Sequence, residues 1–468
     1  MNAYGEFCGN KKISIKNFRG IQNADFDFCN KVNLIVGING AGKTSVLDSI
    51  ALLLSWLINR TLNKNSSGQP INDLSIRNGC REAALSITVN YDNQDFNWML
   101  VKTGRGLNAR SQKSELSLLA ALSKRFQIEL DNKNDEASLP LFVYYPVDRA
   151  IVKVPIRRRR RQAFSQLSAY DEALNPNVNF KSFFEWFRFE QEKHNSSLAN
   201  LLHSMDLSDT DSLLFKATKY RKTIKEILKE LYNPLSSKGL KAVCQAIYEF
   251  MPGFSDLRVL YEPLRMVIEK EGVHLNLLQL SGGEKCMLAL IGDIARRLVL
   301  ANPSMDNPLK GKAIILIDEI DLHLHPRWQK NIIERLNSTF PNCQFIITHS
   351  PHIITHVHSN CISIISTNEN GAFNVSKARN SYGFSSEVLL SEIMGLDTTR
   401  PQKIQDKLDK IFQNISDNEL DEAETKLQCL KTIMRDDPDV VKAEALIFRK
   451  KLSINETNKK NKRASVLF

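Results

Sequence analysis

Residues 37–44, GINGAGKT, combine glycines, a lysine and a hydroxyl residue at the spacing G-x-x-x-x-G-K-[ST]. Glycines let the backbone curl until several N–H groups face one phosphate, and Lys43 adds a positive charge beside them. The hydroxyl of Thr44 is suited to binding Mg²⁺. The segment therefore predicts a loop that binds the phosphates of a nucleotide. Its predicted binding residues are Asn39, Gly40, Ala41, Gly42, Lys43, Thr44 and Ser45.

Two carboxylates and a histidine follow two apolar runs further along the chain. Asp318 and Glu319 close the run that begins at residue 312, KAIILID, and His349 follows CQFIIT at residues 343–348. Beside a phosphate-binding loop, Asp318 is placed to hold Mg²⁺, and Glu319 is placed to orient or deprotonate the attacking water. His349 is then predicted to reach the γ-phosphate. Taken singly, Asp318 is equally well explained as a helix N-cap and His349 as a core histidine.

The segment LSGGEK, residues 280–285, opens a predicted helix on two consecutive glycines. Glycine weakens a helix interior by about 1 kcal/mol relative to alanine, so this pair needs a reason. One reason is local, because Ser281 can serve as an N-cap and glycine suits a turn. The other is chemical, because a serine hydroxyl, bare N–H groups and the positive end of a helix together bind phosphate. The predicted nucleotide-binding residues are Ser281, Gly282, Gly283 and Glu284.

Strands and helices must bring these segments together. KVNLIVG, residues 31–37, reads as a short apolar strand before the loop, and residues 43–60 after it have helical periodicity. The nearly continuous apolar run at 312–318 is typical of a parallel strand buried on both faces, and 343–348 predicts another strand. Further strands are predicted at 82–93, 95–103 and 140–145. The sequence therefore predicts an α/β fold.

The order GINGAGKT, LSGGEK, AIILIDEID and ITHSP resembles the Walker A, signature, Walker B and H-loop motifs of ABC-type ATPases. The opening ISIKNFRGIQNADFDF (13–28) and the run DEIDLHLHPRWQ (318–329) are similar to the soluble RecF/SMC/OLD-like branch, not to the transporters. Within that branch the chain resembles the Septu-type anti-phage ATPases (PtuA), which also occur with some retrons. The segments that carry this likeness are YYPVDRAI (144–151), NFKSFFEWFRFEQE (179–192) and the helical tail after Gly383.

The resemblance implies an ABC-ATPase (P-loop NTPase) head that is split by a mainly helical insertion and followed by a helical C-terminal region. It implies ATP and Mg²⁺ as cofactors, and it adds Asp321 as a D-loop residue at the nucleotide. In such ATPases the signature caps the γ-phosphate of ATP held by a second protomer, so a head-to-tail dimer or a higher oligomer is expected. An HNH-type nuclease (PtuB-like) is the expected protein partner.

The motif positions predict four regions. Residues 1–150 form the first ATPase lobe with Walker A, and residues 151–265 form a helical insertion with a basic segment. Residues 266–380 form the second lobe with the signature, Walker B and H-loop, and residues 381–468 form a helical region that docks the partner. Helices are expected there at 404–415, 420–434 and 440–452. These helices serve as a docking surface or simply cover the ATPase core.

Composition and charge narrow the class of protein further. The chain has 468 residues, 42% hydrophobic residues and a net charge of +11. No apolar run reaches the roughly 18 residues that a membrane span needs, and the N-terminus lacks the apolar core of a signal peptide. A cytoplasmic protein without membrane contact is expected. The eight cysteines are scattered without a C-x-x-C pair, so reduced thiols are expected.

Three functions remain open from the sequence. The first is an ATPase of anti-phage defence that regulates or scaffolds a nuclease acting on nucleic acid. The second is a RecF-like ATPase of DNA repair and recombination, and the third is an ATP-binding scaffold with little turnover. No acidic Toprim pattern and no HNH constellation follow the ATPase motifs, so no nuclease is expected in this chain.

An ABC-type ATPase is also expected to have a glutamine in a segment called the Q-loop. Gln162 and Gln166 follow the strand that should precede this segment, but they lie in arginine-rich surroundings, so neither is assigned to it.

The segment PIRRRRRQ, residues 155–162, concentrates five arginines. We expect replacement of Arg157 to Arg161 by alanine to weaken nucleic-acid binding and to flatten its salt dependence, because fewer phosphate counterions are released. Binding is measured as log affinity against log salt concentration. An unchanged slope would show that the block is a solvated segment or a protein contact.

Overall fold

The computed structural model describes residues 9–104, 113–133, 137–147, 164–175, 181–204, 237–321, 324, 326–348, 351–367, 373–379, 381–384 and 400–464. The chain divides into two compact units, Met1–Leu389 and Leu390–Phe468. The sequence predicts the start of the C-terminal region at residue 381, a few positions before this division. The arginine block at 155–162 lies outside the described residues.

The strands and helices are defined here in chain order. The strands are β1 (Gly9–Phe18), β2 (Ile21–Asp27), β3 (Val32–Gly37), β4 (Glu82–Tyr91), β5 (Gln94–Thr103), β6 (Leu141–Tyr145), β7 (Phe254–Tyr261), β8 (Leu264–Lys270), β9 (Val273–Asn276), β10 (Ala313–Ile317), β11 (Cys343–Thr348), β12 (Ile362–Thr367) and β13 (Phe373–Lys377). The helices are α1 (Lys43–Leu62), α2 (Ser117–Lys133), α3 (Lys181–Ser204), α4 (Lys238–Phe250), α5 (Gly282–Ala301), α6 (Pro326–Thr339), α7 (Gln402–Ser416), α8 (Leu420–Lys431) and α9 (Pro438–Ala464).

A six-stranded sheet in the order β13-β12-β3-β11-β10-β6 forms the centre of the first unit. All its pairs are parallel except the edge pair β12–β13, which is antiparallel. Every residue of β3, β6, β10 and β11 is buried, as expected for parallel strands covered on both faces. The predicted α/β class is confirmed. The order also places β3, β11 and β10 side by side.

A second, antiparallel sheet in the order β2-β1-β4-β5 packs against the helix that follows the phosphate-binding loop. The predicted pair at 82–93 and 95–103 is present, and Asp92 and Asn93 form its two-residue turn with φ angles of 55° and 58°. Trp98 is fully buried and donates its ring N–H to the carbonyl of Leu53, 3.1 Å away, in α1. This hydrogen bond joins α1 to strand β5 of the second sheet.

Helix α1 is long and apolar enough to cross a bilayer, by the measure of length and composition alone, among the residues that the structure describes. Most of its apolar stretch is buried inside the protein, at residues such as Leu47, Ile50 and Leu54. Its apolar side chains therefore belong to the hydrophobic core of the first unit.

The helical insertion ends earlier than the sequence analysis expects. Helical structure is predicted up to residue 265, but α4 ends at Phe250, and β7, β8 and β9 form a separate antiparallel sheet. The segment DLRVLY alternates in burial along β7, which is the period-2 pattern of a strand that packs on one face. The tight connection at Glu262-Pro263 then returns the chain as β8. The end of the region that the sequence predicts to be mainly helical thus contains strands as well as helix.

Cys29 and Cys361 form a disulfide, and their Cα atoms lie 5.6 Å apart. Cys29 shortly precedes β3 and Cys361 directly precedes β12, which pairs with β3 in parallel. The expectation of reduced thiols is therefore wrong for this pair. The two cysteines are 332 residues apart in sequence, and the pairing of β3 with β12 brings them together. Cys343 is a buried free thiol, and burial raises its pKa well above the ordinary value.

The second unit contains the three helices predicted at 404–415, 420–434 and 440–452, observed as α7, α8 and α9. They share a separate hydrophobic core, which includes Leu408, Ile411, Leu427, Val440 and Ile447. An independent core of this kind explains why the chain divides before this region.

Helix α5 carries a buried ionic cluster in the first unit. Asp293 accepts from Arg296 and from Arg297 at 2.7 Å each, and from the Tyr145 hydroxyl at 2.9 Å. Burial by itself raises the pKa of Asp293, but the charges of Arg297 and Arg296 outweigh it and lower the pKa to about 2. The pKa of Asp293 in the folded protein is lower than the ordinary value of 3.8, so ionisation of this carboxyl stabilises the fold at pH values above 3.8. This stabilisation is lost as the pH falls through about 2.

We expect Asp293→Asn to lower the free energy of unfolding of the first unit by about 3–5 kcal/mol, because two buried guanidinium groups lose their counter-charge. The measurement is the denaturant midpoint near neutral pH. The matched control is Asp306→Asn, whose exposed pair with Lys238 at 3.4 Å is expected to contribute less than about 1 kcal/mol. Equal effects of the two substitutions would contradict this account.

Candidate nucleotide site

Three adjacent strands bring the predicted motifs to one edge of the sheet. Strands β3, β11 and β10 are parallel, so their carboxyl ends, at Gly37, Thr348 and Ile317, lie on the same side. Strand β11 lies between the other two. The last residue of β11 therefore stands between the phosphate-binding loop and the carboxylates that follow β10. Ligands of parallel α/β sheets bind at this kind of edge.

The loop after β3 has the curled backbone that its glycines predict. Gly40 and Gly42 have φ angles of 81° and 96°, in the left-handed region that glycine adopts without strain. The Lys43 ammonium donates to the carbonyls of Gly37 at 2.9 Å and Ile38 at 3.3 Å. The lysine thus folds back over the loop, and α1 begins at the same residue. Asn39 and Gly40 are exposed, Ala41 is buried, and Ser45 is partly buried.

Thr44 and Asp318 are in direct contact across the edge. The Thr44 hydroxyl donates to Oδ2 of Asp318 at 2.7 Å, although the two residues are 274 positions apart in sequence. A hydroxyl and a carboxylate oxygen are hard ligands of the kind that Mg²⁺ prefers. The pair therefore fits the donor set that was predicted to hold the metal.

Asp318, Thr348 and Glu319 form a short chain of hydrogen bonds beside that pair. The Thr348 hydroxyl donates to Oδ1 of Asp318 and accepts from the main-chain N–H of Glu319 at 3.0 Å. Glu319 has a φ of 45°, and a non-glycine residue in this left-handed region costs roughly 1–3 kcal/mol. The surrounding hydrogen bonds hold that conformation. Thr348 was not predicted as a site residue, although its place as a hydroxyl residue at the end of an apolar strand, directly before His349, was an available signal.

The signature segment caps its own helix. Ser281 Oγ accepts from the Glu284 N–H at 3.3 Å, and the Glu284 carboxylate accepts from the Ser281 N–H at 2.8 Å. Lys270 of β8 also donates to Glu284 at 2.7 Å. Partial burial favours a higher pKa of Glu284, but the hydrogen bonds from Lys270 and Ser281 outweigh it and hold that pKa below the ordinary value. Ser281 and Gly282 are exposed, whereas Gly283 and Glu284 are partly buried.

The remaining predicted residues lie in different surroundings. Asp321 is buried, and its carbonyl accepts from the Leu324 N–H at 3.0 Å. His349 and Gln162 lie outside the described residues. Gln166 donates to the carbonyls of Ala137 and Ala301, near the amino end of β6. That is the opposite edge of the sheet from the carboxylates, so Gln166 does not occupy a Q-loop position.

Comparison with known proteins agrees with this arrangement. Residues 12–233 match the family model of an AAA domain, and residues 160–354 match that of an AAA ATPase domain. The retron Ec83 probable ATPase of Escherichia coli is 36% identical over 385 residues, 75% of this chain and 70% of that protein. The retron Vc95 probable ATPase of Vibrio cholerae is 33% identical over 377 residues, 76% of this chain and 73% of that protein. The Septu protein PtuA of Bacillus thuringiensis is 23% identical over 403 residues, 83% and 85% of the two chains.

A phosphate-binding loop and a pair of carboxylates at the edge of a parallel sheet, together with these domain matches, define an ATPase of the ABC type in the RecF/SMC-like branch. ATP is accordingly the nucleotide that the family binds. More particularly, the chain belongs to the family of the retron ATPases, and Septu PtuA is a more distant relative. The resemblance inferred from the motifs is confirmed.

We expect Lys43→Ala to weaken ATP binding by about 10- to 100-fold, because the phosphates lose a charge-assisted hydrogen bond. ATP affinity is measured by titration of the purified protein. Lys64→Ala, which removes an exposed lysine just beyond α1, is the matched control and is expected to bind ATP normally. Equal affinity of the Lys43 variant and the wild-type protein would remove the P-loop assignment.

Proposed function

We propose that this chain is the ATPase of an anti-phage defence complex, in which it regulates or scaffolds an HNH-type nuclease that acts on nucleic acid. Its membership of the retron ATPase family and its likeness to Septu PtuA support the defence role. The single observation that carries the ATPase part is the hydrogen-bonded set Thr44, Asp318, Thr348 and Glu319 at one edge of the sheet. That set contains the pair proposed to hold the metal and the residue proposed as the base.

In the proposed reaction the loop residues 39–45 bind the phosphates of ATP, and Lys43 turns from the loop carbonyls to the β- and γ-phosphates. Thr44 and Asp318 would hold Mg²⁺, which would supply positive charge against the charge that develops on the phosphate oxygens. Glu319 accepts a proton from the water that attacks the γ-phosphorus, and ADP leaves as the bond from that phosphorus to the β,γ-bridging oxygen breaks. His349 is proposed to donate a hydrogen bond to the γ-phosphate.

The signature supports a second proposal, that two protomers associate head to tail around ATP. Ser281 and Gly282 are exposed at the start of α5, and Gly282 has open space on the side where a Cβ would stand. Helix α5 is 20 residues long, so its start carries a positive dipole end for a phosphate. Among the described residues, the hydrogen bonds of Ser281 and Glu284 connect the signature to itself and to β8, and none reaches the P-loop. The γ-phosphate that this segment caps is therefore proposed to come from the partner protomer, with Asp321 nearby.

The second unit is proposed to dock the nuclease. Val441, Phe448 and Leu452 are exposed on α9, and their spacing of seven and four residues places them on one face. The core of the unit is formed by other residues, so this face is available for a partner.

Nucleic acid is proposed to contact the basic segments through phosphates, without sequence specificity. The complex is proposed to act in the cytoplasm.

We expect Glu319→Gln to bind ATP but to hydrolyse it about 100-fold or more slowly, because the shape is kept and the base is removed. Turnover and ATP affinity are both measured. Glu271→Gln is the matched control, since Glu271 is an exposed glutamate with a similar φ of 49°. A wild-type protein with negligible turnover would instead support the scaffold function.

With hydrolysis blocked by Glu319→Gln, ATP should hold two protomers together, which is observable as a doubled mass. Ser281→Arg should abolish that association and leave ATP binding by the isolated chain intact, because the bulky cation occupies the path of the partner's phosphate. Ser338→Arg, on an exposed turn of α6, is the control. A Lys43→Ala chain mixed with a Ser281→Arg chain retains one intact composite site, so partial association should return. Loss of ATP binding by the isolated Ser281→Arg chain would refute the head-to-tail arrangement.

A further inference from the structure

The Thr348 hydroxyl is fully buried, and its two hydrogen bonds both go to the residues that follow β10. We propose that Thr348 is a positioning residue for ATP hydrolysis, which sets the location of the Glu319 carboxylate by holding the Glu319 main chain. This inference rests on the role of Glu319 as the base, as proposed above.

The direction of the two hydrogen bonds follows from the chemistry of the groups. A main-chain N–H only donates, so the Thr348 hydroxyl oxygen accepts from Glu319 and directs its own proton to Asp318. Its lone pairs then remain for the Glu319 N–H, 3.0 Å away. One hydroxyl therefore connects the carboxylate proposed to bind the metal to the main chain of the proposed base.

Thr348 holds two successive N–H groups after Asp318. The Glu319 N–H donates to the Thr348 hydroxyl, and the Ile320 N–H donates to the Thr348 carbonyl at 3.3 Å. The φ of 45° at Glu319 is unfavourable for a residue with a Cβ, so without these bonds the residue would relax toward a right-handed conformation. Such a relaxation would redirect the Cα–Cβ bond and move the carboxylate. The two bonds thus determine where the base stands.

Thr348 itself is held rigidly enough to act in this way. It is the last residue of β11, whose neighbours are β10 and β3, and it is paired with Ile35 of β3. A β-branched side chain has restricted rotation about χ1, which favours one orientation of the hydroxyl. Strand β11 is hydrogen-bonded on both sides, so Thr348 is held in place. Its hydrogen bond then restricts the movement of the Glu319 main chain.

The two oxygens of Asp318 keep the two roles separate. Oδ2 accepts from Thr44, which is proposed to turn toward the metal, whereas Oδ1 accepts from Thr348. The Thr348 bonds can therefore persist when nucleotide and metal bind. This separation predicts that loss of the hydroxyl affects the rate of the chemical step more than the binding of ATP.

The experiment compares Thr348→Val, which replaces the hydroxyl by a methyl group, with Thr348→Ser, which keeps it. We expect the valine variant to lose about 10- to 100-fold in kcat, as for a misplaced catalytic group, with ATP affinity changed by less than about threefold. The serine variant should retain kcat within about threefold of wild type. Thr339→Val is the matched control, because Thr339 is a buried threonine whose hydroxyl donates to the Glu249 carboxylate at 3.0 Å, away from the site.

The same substitution is then made in the Glu319→Gln background. If Thr348 acts by positioning Glu319, the valine should cause less than about a twofold further loss there. An equal loss in both backgrounds, or a raised Mg²⁺ requirement in the Thr348→Val variant, would overturn the proposal and assign the effect to Asp318. An unchanged kcat of the valine variant would also overturn it. A Glu319→Gln protein with normal turnover would instead refute the base assignment, which is a separate failure.

Thr348→Ala is a second variant without the hydroxyl, and it introduces no added bulk into the strand. ATP binding and thermal unfolding of both variants report whether the fold is intact. If neither variant folds and binds ATP while the serine variant does, the hydroxyl is required for structure and the positioning role is overturned.

Discussion

The Asp318 carboxylate accepts hydrogen bonds from two hydroxyls, Thr44 at the start of α1 and Thr348 at the end of β11. Both contacts require β3, β11 and β10 to lie side by side and in parallel. Parallel strands of this kind are covered on both faces, and every residue of these three strands is buried. The hydrophobic core of the first unit is thus the condition for the polar chemistry at its edge.

The two predicted ends of the nucleotide site are supported differently. The P-loop end is held by the central sheet, through β3 and α1. The signature end is held by a capping box, by Lys270 on a separate three-stranded sheet, and by the buried cluster of Asp293 on the same helix. The cluster connects α5 to Tyr145 at the end of β6, a neighbour of β10. Helix α5 is therefore fixed relative to the sheet, which suits a surface proposed to meet the phosphate of a second protomer.

Elements with strong local patterns were predictable from the sequence. The strands around residues 31–37, 312–318 and 343–348 and the three C-terminal helices were found where their periodicity placed them. The strand pair that begins at residue 254 was not predicted separately within the mainly helical region 151–265, because the alternation of DLRVLY is too brief to stand out. The disulfide of Cys29 and Cys361 was missed for another reason, since its residues become neighbours only through the pairing of β3 with β12.

The sequence by itself determined that this protein has a P-loop, because Gly37 to Thr44 are contiguous and their local spacing specifies the backbone curl and the groups it presents. It also determined that Asp318 and Glu319 directly follow an apolar strand. Only the tertiary structure decided that Thr44 contacts Asp318 and that Thr348 contacts both carboxylate residues. Those contacts depend on the order of strands in the sheet. That order is set by the packing of the whole core, so no short segment of the sequence encodes it.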